Sequence, residues 1–211
     1  MSNPYYHTTD FTTDIQALKD VANEFLSPEK YDQAEQGEFF QAGCLQMTRT
    51  DTVFKYSSQD FIRNAYHEAR AENGEAISTC VLSFFEIPMD LSHLTIIPEL
   101  CEFFKNTTHH SDPDYLIKYL YFFSIRGPLP KHTDNRVATF NIPLIMGADT
   151  PVAWHDEDGD DDILCEYVYG GRSTLVNTSI RHSCLTNTGH RLFLAVGGWQ
   201  EPFEIVREQL G

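Results

Sequence analysis

No run of about 18 apolar residues occurs in the 211-residue chain, so no segment qualifies as a membrane-crossing helix. The first residues, Met1-Ser2-Asn3-Pro4-Tyr5-Tyr6-His7, lack the basic-then-apolar order of a secretory signal, and a cytosolic location is expected. C-x-x-C pairs are missing too: the five cysteines, Cys44, Cys80, Cys101, Cys165 and Cys184, are odd in number and scattered. That argues against a disulfide framework or a thiolate zinc site and for reduced, mostly buried thiols. Positive charge is scarce, 15 Lys and Arg against 31 Asp and Glu, for a formal net charge of −16. Such a surface repels phosphate backbones and anionic membranes, so neither nucleic acid nor a membrane is an expected partner. Internal repeats and low-complexity linkers are absent as well. A chain of this length can bury one substantial core, and one domain spanning 1–211 is expected, with the oligomeric state left open.

The first half reads as scaffold. Thr13-x-x-Gln16 has the form of a capping box, and Ile15, Leu18, Val21, Ala22 and Phe25 follow at helical spacing to Ser27-Pro28, predicting a helix over about 13–26. Residues 37–50 suggest a strand or two, and Ser57/Ser58 to Asn73-Gly74 a second helix. Ala76 to Pro88 reads as a buried strand, and Pro98 suits the first turn of a short helix carrying Leu100, Phe103 and Phe104. From Tyr115 onward the texture changes to strand-like runs, 115–126, 136–146, 152–155, 163–169, 173–185 and 190–199, punctuated by Gly, Pro, Asn and Asp. Strands following helices point to an α+β, mainly β protein, a sandwich or rolled barrel with N-terminal helices packed on one face. The expected division is a mixed helix/strand scaffold over 1–113 and a β core over 114–200.

The chemistry concentrates between Lys131 and Arg191. His132 and Asp134 are two residues apart, so in extended chain both side chains point the same way and can take adjacent positions on a metal. His182, inside a strand-like run with Ile180 and Cys184 on its parity, is the best third ligand. Two imidazoles and one carboxylate on one face of an octahedron leave three positions open, as an Fe(II) oxygenase needs for O2 and a bidentate 2-oxo acid. Arg191 lies on the next strand, a lone guanidinium among Leu192, Phe193, Leu194, Ala195 and Val196. A buried arginine needs an anionic partner, and its planar fork matches a carboxylate; the distal carboxylate of 2-oxoglutarate would satisfy it.

His132-Thr133-Asp134, His182 and Arg191 together resemble the His-x-Asp…His…Arg signature of the Fe(II)/2-oxoglutarate-dependent dioxygenases. Within that family, Arg136-x4-Asn141-Ile142-Pro143-Leu144 and His182-x4-Asn187-x3-Arg191 are similar to the aspartyl/asparaginyl β-hydroxylase-like branch. The resemblance covers roughly residues 115–200. It implies a double-stranded β-helix, a jelly-roll-like barrel, that couples oxidative decarboxylation of 2-oxoglutarate to hydroxylation of a small molecule such as an amino acid, or of a peptide side chain. It further implies His132, Asp134 and His182 as iron ligands and Arg191 as anchor of the cosubstrate's far carboxylate, with Tyr121 and Asn141 as further cosubstrate contacts. Arg126 and Arg136 could face an anionic substrate, and Trp154 and residues 157–162 could border the mouth. A cupin-type metalloenzyme that does not use 2-oxoglutarate, or a non-catalytic barrel that only binds, remains the alternative.

Other histidines and acids have plainer readings. His109-His110 suits a solvated loop, and His155 and His190 flank strands without the parity or setting of a ligand. Asp156 to Asp162 lacks the alternating ligand order of a calcium loop and suits a solvated hairpin tip.

Overall fold

The computed structural model describes residues 3–25, 44–45, 78–83, 96–107, 120–126, 129–134, 136–146, 151–156, 162–184, 190–197, 199 and 201–211. The expected helix at 57–74, His109-His110 and most of the acidic run lie outside these residues. In chain order the described elements are β1 (Tyr6–Thr8), α1 (Ile15–Phe25), β2 (Cys44–Leu45), β3 (Ser78–Ser83), α2 (Ile96–Thr107), β4 (Leu120–Arg126), β5 (Leu129–His132), β6 (Ala138–Ile145), β7 (Val152–His155), β8 (Ile163–Tyr167), β9 (Thr174–Asn177), β10 (His182–Cys184), β11 (His190–Val196) and α3 (Phe203–Leu210). The described residues are mostly antiparallel β-structure with few helices. Seven strands form one sheet in the order β1-β9-β6-β11-β4-β3-β2 and four form another in the order β5-β10-β7-β8; β2 and β3 are the one parallel pair among the described strands.

Period-two alternation decides what each strand feeds. In β11, Leu192, Leu194 and Val196 share a buried cluster with Phe140, Ile142 and Leu144 of β6 and with Leu18, Ala22, Ile96, Leu100, Phe104, Phe203 and Val206 of the three helices. The helices therefore lie on one face of the large sheet. The opposite parity, Phe193 of β11 and Val176 of β9, packs with Leu129, Val152, Trp154 and Cys184 of the small sheet, forming a second core between the sheets. Among the described residues no helix is long and apolar enough to cross a membrane.

Local sequence explains most element ends. α1 starts at Ile15, where the Ala17 amide donates to Asp14 Oδ1 at 3.0 Å. The cap is thus Asp14, one residue later than the Thr13 box; the Thr13 hydroxyl instead donates to Glu99 at the start of α2. Pro98 and Glu99 fall in the first turn of α2, where a missing N–H and a negative charge are favourable, and Ile96, Leu100 and Phe104 recur every four residues on its buried face. α3, which sequence reading left unassigned, buries Phe203, Val206 and Leu210 and ends at Gly211 with φ 84°.

The run 173–185 is not one strand. β9 ends at Asn177 in the large sheet, and β10 begins at His182 in the small one. Asn177 holds the corner: its Nδ2 donates to the Pro4 carbonyl at 3.0 Å and its Oδ1 accepts from the Ser179 hydroxyl at 2.7 Å. Such Asn side-chain bonds compete with ladder pairing and turn the chain. Of the three cysteines whose side chains are described, Cys184 is buried and Cys101 and Cys165 half-buried, and none of the three is in a disulfide.

Candidate metal centre

His182 stands directly across from His132 of β5 on one side and Trp154 of β7 on the other. Facing residues of neighbouring strands bring side chains into contact, and the two imidazole centroids are 4.3 Å apart. The β5/β10 register slips between His182 and Cys184, so one more residue is accommodated on β5 just before His132. Bulges of this kind re-aim side chains beside functional sites.

Asp134 follows the end of β5, and its position depends on Thr178 in the corner between β9 and β10. The Asp134 amide donates to the Thr178 carbonyl at 2.9 Å, the Thr178 amide to Val137 O at 3.0 Å, and the Thr178 hydroxyl to Arg136 O at 3.0 Å. The segment carrying one acidic group is thereby tied to the segment leading into His182. Ligand atoms of His132, Asp134 and His182 all lie within 4.8 Å of one another, with His132 Nε2 3.6 Å from Asp134 Oδ1. His182 Nδ1 lies 2.9 Å from the Ile180 carbonyl, so that nitrogen carries the proton and Nε2 keeps the lone pair.

Burial raises the pKa of Asp134 despite the opposing pull of Arg136 and then His182 and Thr178; a dication beside it would reverse that balance. Asp134 Oδ1 has no hydrogen-bond partner, while Oδ2 sits 3.5 Å from Arg136 Nε. The donor set of two imidazoles and one carboxylate, with an unpartnered buried oxygen at its centre, fits a divalent first-row metal of the Fe(II) type.

The triad opens into a cavity between the sheets. Its large-sheet wall is built from one parity of β4, β6, β9 and β11, namely Tyr121, Thr139, Asn141, Val176, Arg191 and Phe193. Arg191 is 1% exposed. Its Nη1 donates to Cys184 Sγ and its guanidinium carbon lies 5.6 Å and 5.4 Å from the rings of Tyr169 and Phe193. Its Nε and Nη2 have no partner, and neither does Asn141 Oδ1. Asn141 Nδ2 donates to the Tyr169 hydroxyl at 2.8 Å, and burial pushes that phenol's pKa up against the lowering effect of Arg191.

The structure brings together His132, Asp134, His182, Arg136, Tyr121, Asn141 and Arg191 as lining of this one cavity. Tyr121 belongs to its metal end, where its hydroxyl accepts from Arg136 Nη1. Trp154 does not border a mouth: it is 0% exposed in the core between the sheets, its indole N–H donating to Asn177 O at 2.9 Å. It lies on the inner face of a strand paired on both sides, with β10 and with β8. The side chain of Arg126, at the end of β4, and residues 157–161 lie outside the described residues. Sequence reading gave no role to Tyr169 or Thr178; nothing local marks either, because their partners come from β6, β11 and the segment after β5.

No family model matches the chain, and no curated protein matches it in sequence. A solved structure titled "Crystal structure of IDO from Bacillus thuringiensis" aligns with 92% of this chain and 100% of its own, at 10% identity and a TM-score of 0.31, too low a likeness to carry an argument.

Proposed function

We propose that this chain is an Fe(II)- and 2-oxoglutarate-dependent oxygenase that hydroxylates a small molecule such as an amino acid, or a peptide side chain, with release of succinate and CO2. One observation carries the reading: a His-Asp-His cluster and a buried arginine with two unpartnered N–H groups share a single cavity. A metal site alone would not require a desolvated guanidinium beside it, since leaving its donors unpaired costs stability that a carboxylate ligand would return. Strand order supports the double-stranded β-helix assignment. β4-β11-β6-β9 lie consecutively in one sheet and β5-β10-β7-β8 in the other, so the chain crosses between sheets at every step from β4 to β11 except β7 to β8, as in a jelly roll. On this reading 1–211 act as one cytosolic oxygenase unit with its metal-binding core over 114–200.

His132, Asp134 and His182 would hold iron from one side through two neutral nitrogens and one anionic oxygen. Bound iron supplies the site at which O2 and 2-oxoglutarate meet and the redox chemistry that couples decarboxylation to C–H oxidation. Arg191 receives the cosubstrate's far carboxylate on its fork. Asn141, through Nδ2, orients the Tyr169 hydroxyl, whose own proton is then free to donate to the same carboxylate. Phe193, Val176, Val152 and Leu129 give the cavity an apolar wall that excludes water and strengthens each of these contacts.

Succinate formation from 2-oxoglutarate in the presence of Fe(II) and ascorbate tests the reading, with anaerobic titration of 2-oxoglutarate into the Fe(II) protein as a binding assay. Wild type is expected to give both signals and His132→Ala neither. A wild-type protein that binds metal yet neither binds nor consumes 2-oxoglutarate, with or without added substrate candidates, would overturn it in favour of a metalloenzyme of another kind.

A further inference from the structure

Asp134 turns its two carboxylate oxygens to different neighbours. Oδ1 lies 3.6 Å from Nε2 of His132 and has no hydrogen-bond partner, whereas Oδ2 lies 3.5 Å from Nε of Arg136. The ion pair is largely withdrawn from water, with the Arg136 side chain 18% and the Asp134 side chain 6% exposed. Both members are fixed from outside the pair. Their main chain is tied to Thr178, whose carbonyl accepts from the Asp134 amide at 2.9 Å and whose hydroxyl donates to the Arg136 carbonyl at 3.0 Å. The guanidinium is held at its other end, where Nη1 donates to the Tyr121 hydroxyl of β4 and the guanidinium carbon lies 5.0 Å from that ring's centroid. Gly197, just past β11, leaves the space that this head fills, since a Cβ there would fall 2.6 Å from Arg136 Nη1 and 3.2 Å from its Cδ. Segments from both sheets therefore converge on one ion pair beside the metal triad.

We propose that Arg136 is a positioning residue for the metal centre: by engaging Oδ2 it leaves Asp134 only Oδ1 to offer the metal, so that the carboxylate binds through one oxygen. The inference rests on the metal triad of the oxygenase reading and is independent of the cosubstrate. Two imidazoles and a one-oxygen carboxylate occupy three positions of an octahedron and leave three open. A carboxylate that chelated through both oxygens would close one of these, and the reaction proposed above uses all of them, two for the 2-oxo acid and one for O2. Coulomb attraction alone favours both oxygens on a dication in a desolvated cavity. Here Oδ2 would first have to leave a mostly buried guanidinium, and separating such a pair is unfavourable. Partners behind a ligand orient it toward the metal. In this protein the orientation also selects which oxygen is presented, since Oδ1 is the one turned to His132. The close approach at Gly197 has the same consequence, because any larger residue there would push the guanidinium off Oδ2.

Water-proton relaxation of the whole 211-residue chain loaded with Mn(II), without cosubstrate, tests this without turnover, because it counts the exchangeable waters on the metal. Wild type is expected to carry about three. Arg136→Gln should carry about one fewer, with the metal-bound water contribution lower by about a third, while Mn(II) stoichiometry, measured separately by metal analysis, holds. Removing a nearby cation would by itself tighten Mn(II) and leave the water count unchanged, so the count and not the affinity reads the role. Gly197→Ala keeps the cation and displaces it, and should lower the count in the same way. An unchanged count in metal-loaded Arg136→Gln would overturn the proposal. If Arg136→Gln cannot hold metal, Gly197→Ala decides: a lowered count supports the proposal and a full one overturns it. A wild type that takes up no Mn(II) would overturn the metal site of the oxygenase reading and this proposal with it, whereas a normal wild type with unchanged variants overturns this proposal alone.

Discussion

His182 and His132 are direct cross-strand partners on β10 and β5, with ring centroids 4.3 Å apart. Paired strands set the two imidazoles in that register, and the Asp134 carboxylate, just past the end of β5 and tied to Thr178 through its amide, lies 3.6 Å from His132 Nε2. Metal affinity should therefore be linked to folding stability.

Adding Mn(II) or Co(II) to metal-free protein should raise the melting temperature, by an amount corresponding to about 2.7 kcal/mol at a hundredfold excess over Kd. His182→Ala and Asp134→Ala should abolish the increase. An undiminished increase in either variant, seen by differential scanning calorimetry, would place the metal elsewhere.

Arg191→Met exchanges a buried cation with two unpartnered donors for an apolar chain of similar length. Without cosubstrate this variant should be equal to or more stable than wild type, by up to about 2 kcal/mol, because the desolvated charge is removed. Urea denaturation measures it, and 2-oxoglutarate binding should be lost in the same protein. A loss of several kcal/mol would mean that Arg191 serves the fold.

Tyr169→Phe removes the hydroxyl that Asn141 Nδ2 contacts at 2.8 Å. The expected effect is a rise in the half-saturating 2-oxoglutarate concentration of about tenfold, one hydrogen bond's worth to a charged group, with metal content unaffected. A change in metal content alone would remove Tyr169 from the cosubstrate's surroundings.

His155 is 3% exposed, with Nε2 2.8 Å from the Ser183 hydroxyl. Burial first, then the charges of Lys131, Arg181 and His182, lowers its pKa to about 4 from the ordinary 6.5. Its folded-state value lies below its unfolded one, so the stability tied to neutral His155 is complete above about pH 6.5 and is lost as pH falls toward 4. In metal-free protein the advantage of wild type over His155→Gln should shrink across that window by on the order of 2 kcal/mol. A pH-independent difference in melting would exclude His155 as the source.

Local pattern made much of this legible. The spacing of Leu100, Phe103 and Phe104 marked a helix face, of which Leu100 and Phe104 are buried, and the alternation of Leu192, Leu194 and Val196 against Arg191 and Phe193 put the arginine on one face of its strand; the tertiary structure set that face away from the helices. The H-x-D spacing likewise put His132 and Asp134 on one side, since extended chain has a period of two. Where local pattern misled, the deciding partner was distant in sequence. The 173–185 run is apolar enough to read as continuous, yet Asn177 bonds to Pro4 and Ser179 and the chain changes sheets. Trp154 stands beside an acidic run in sequence but packs inward against the corner at Asn177.

The sequence by itself supplied the candidate donors His132, Asp134 and His182, the alternation of the strand that carries Arg191, and the apolar stripe of the first helix, because side-chain chemistry and backbone period are local properties. Tertiary structure alone decided that His182 meets His132 across a bulged ladder, that Thr178 ties Asp134 into place, and that Tyr169 and Arg136 complete the cavity's two ends. Those are facts of register and of crossing between sheets. They depend on which distant strands pair, and no spacing along the chain encodes that pairing.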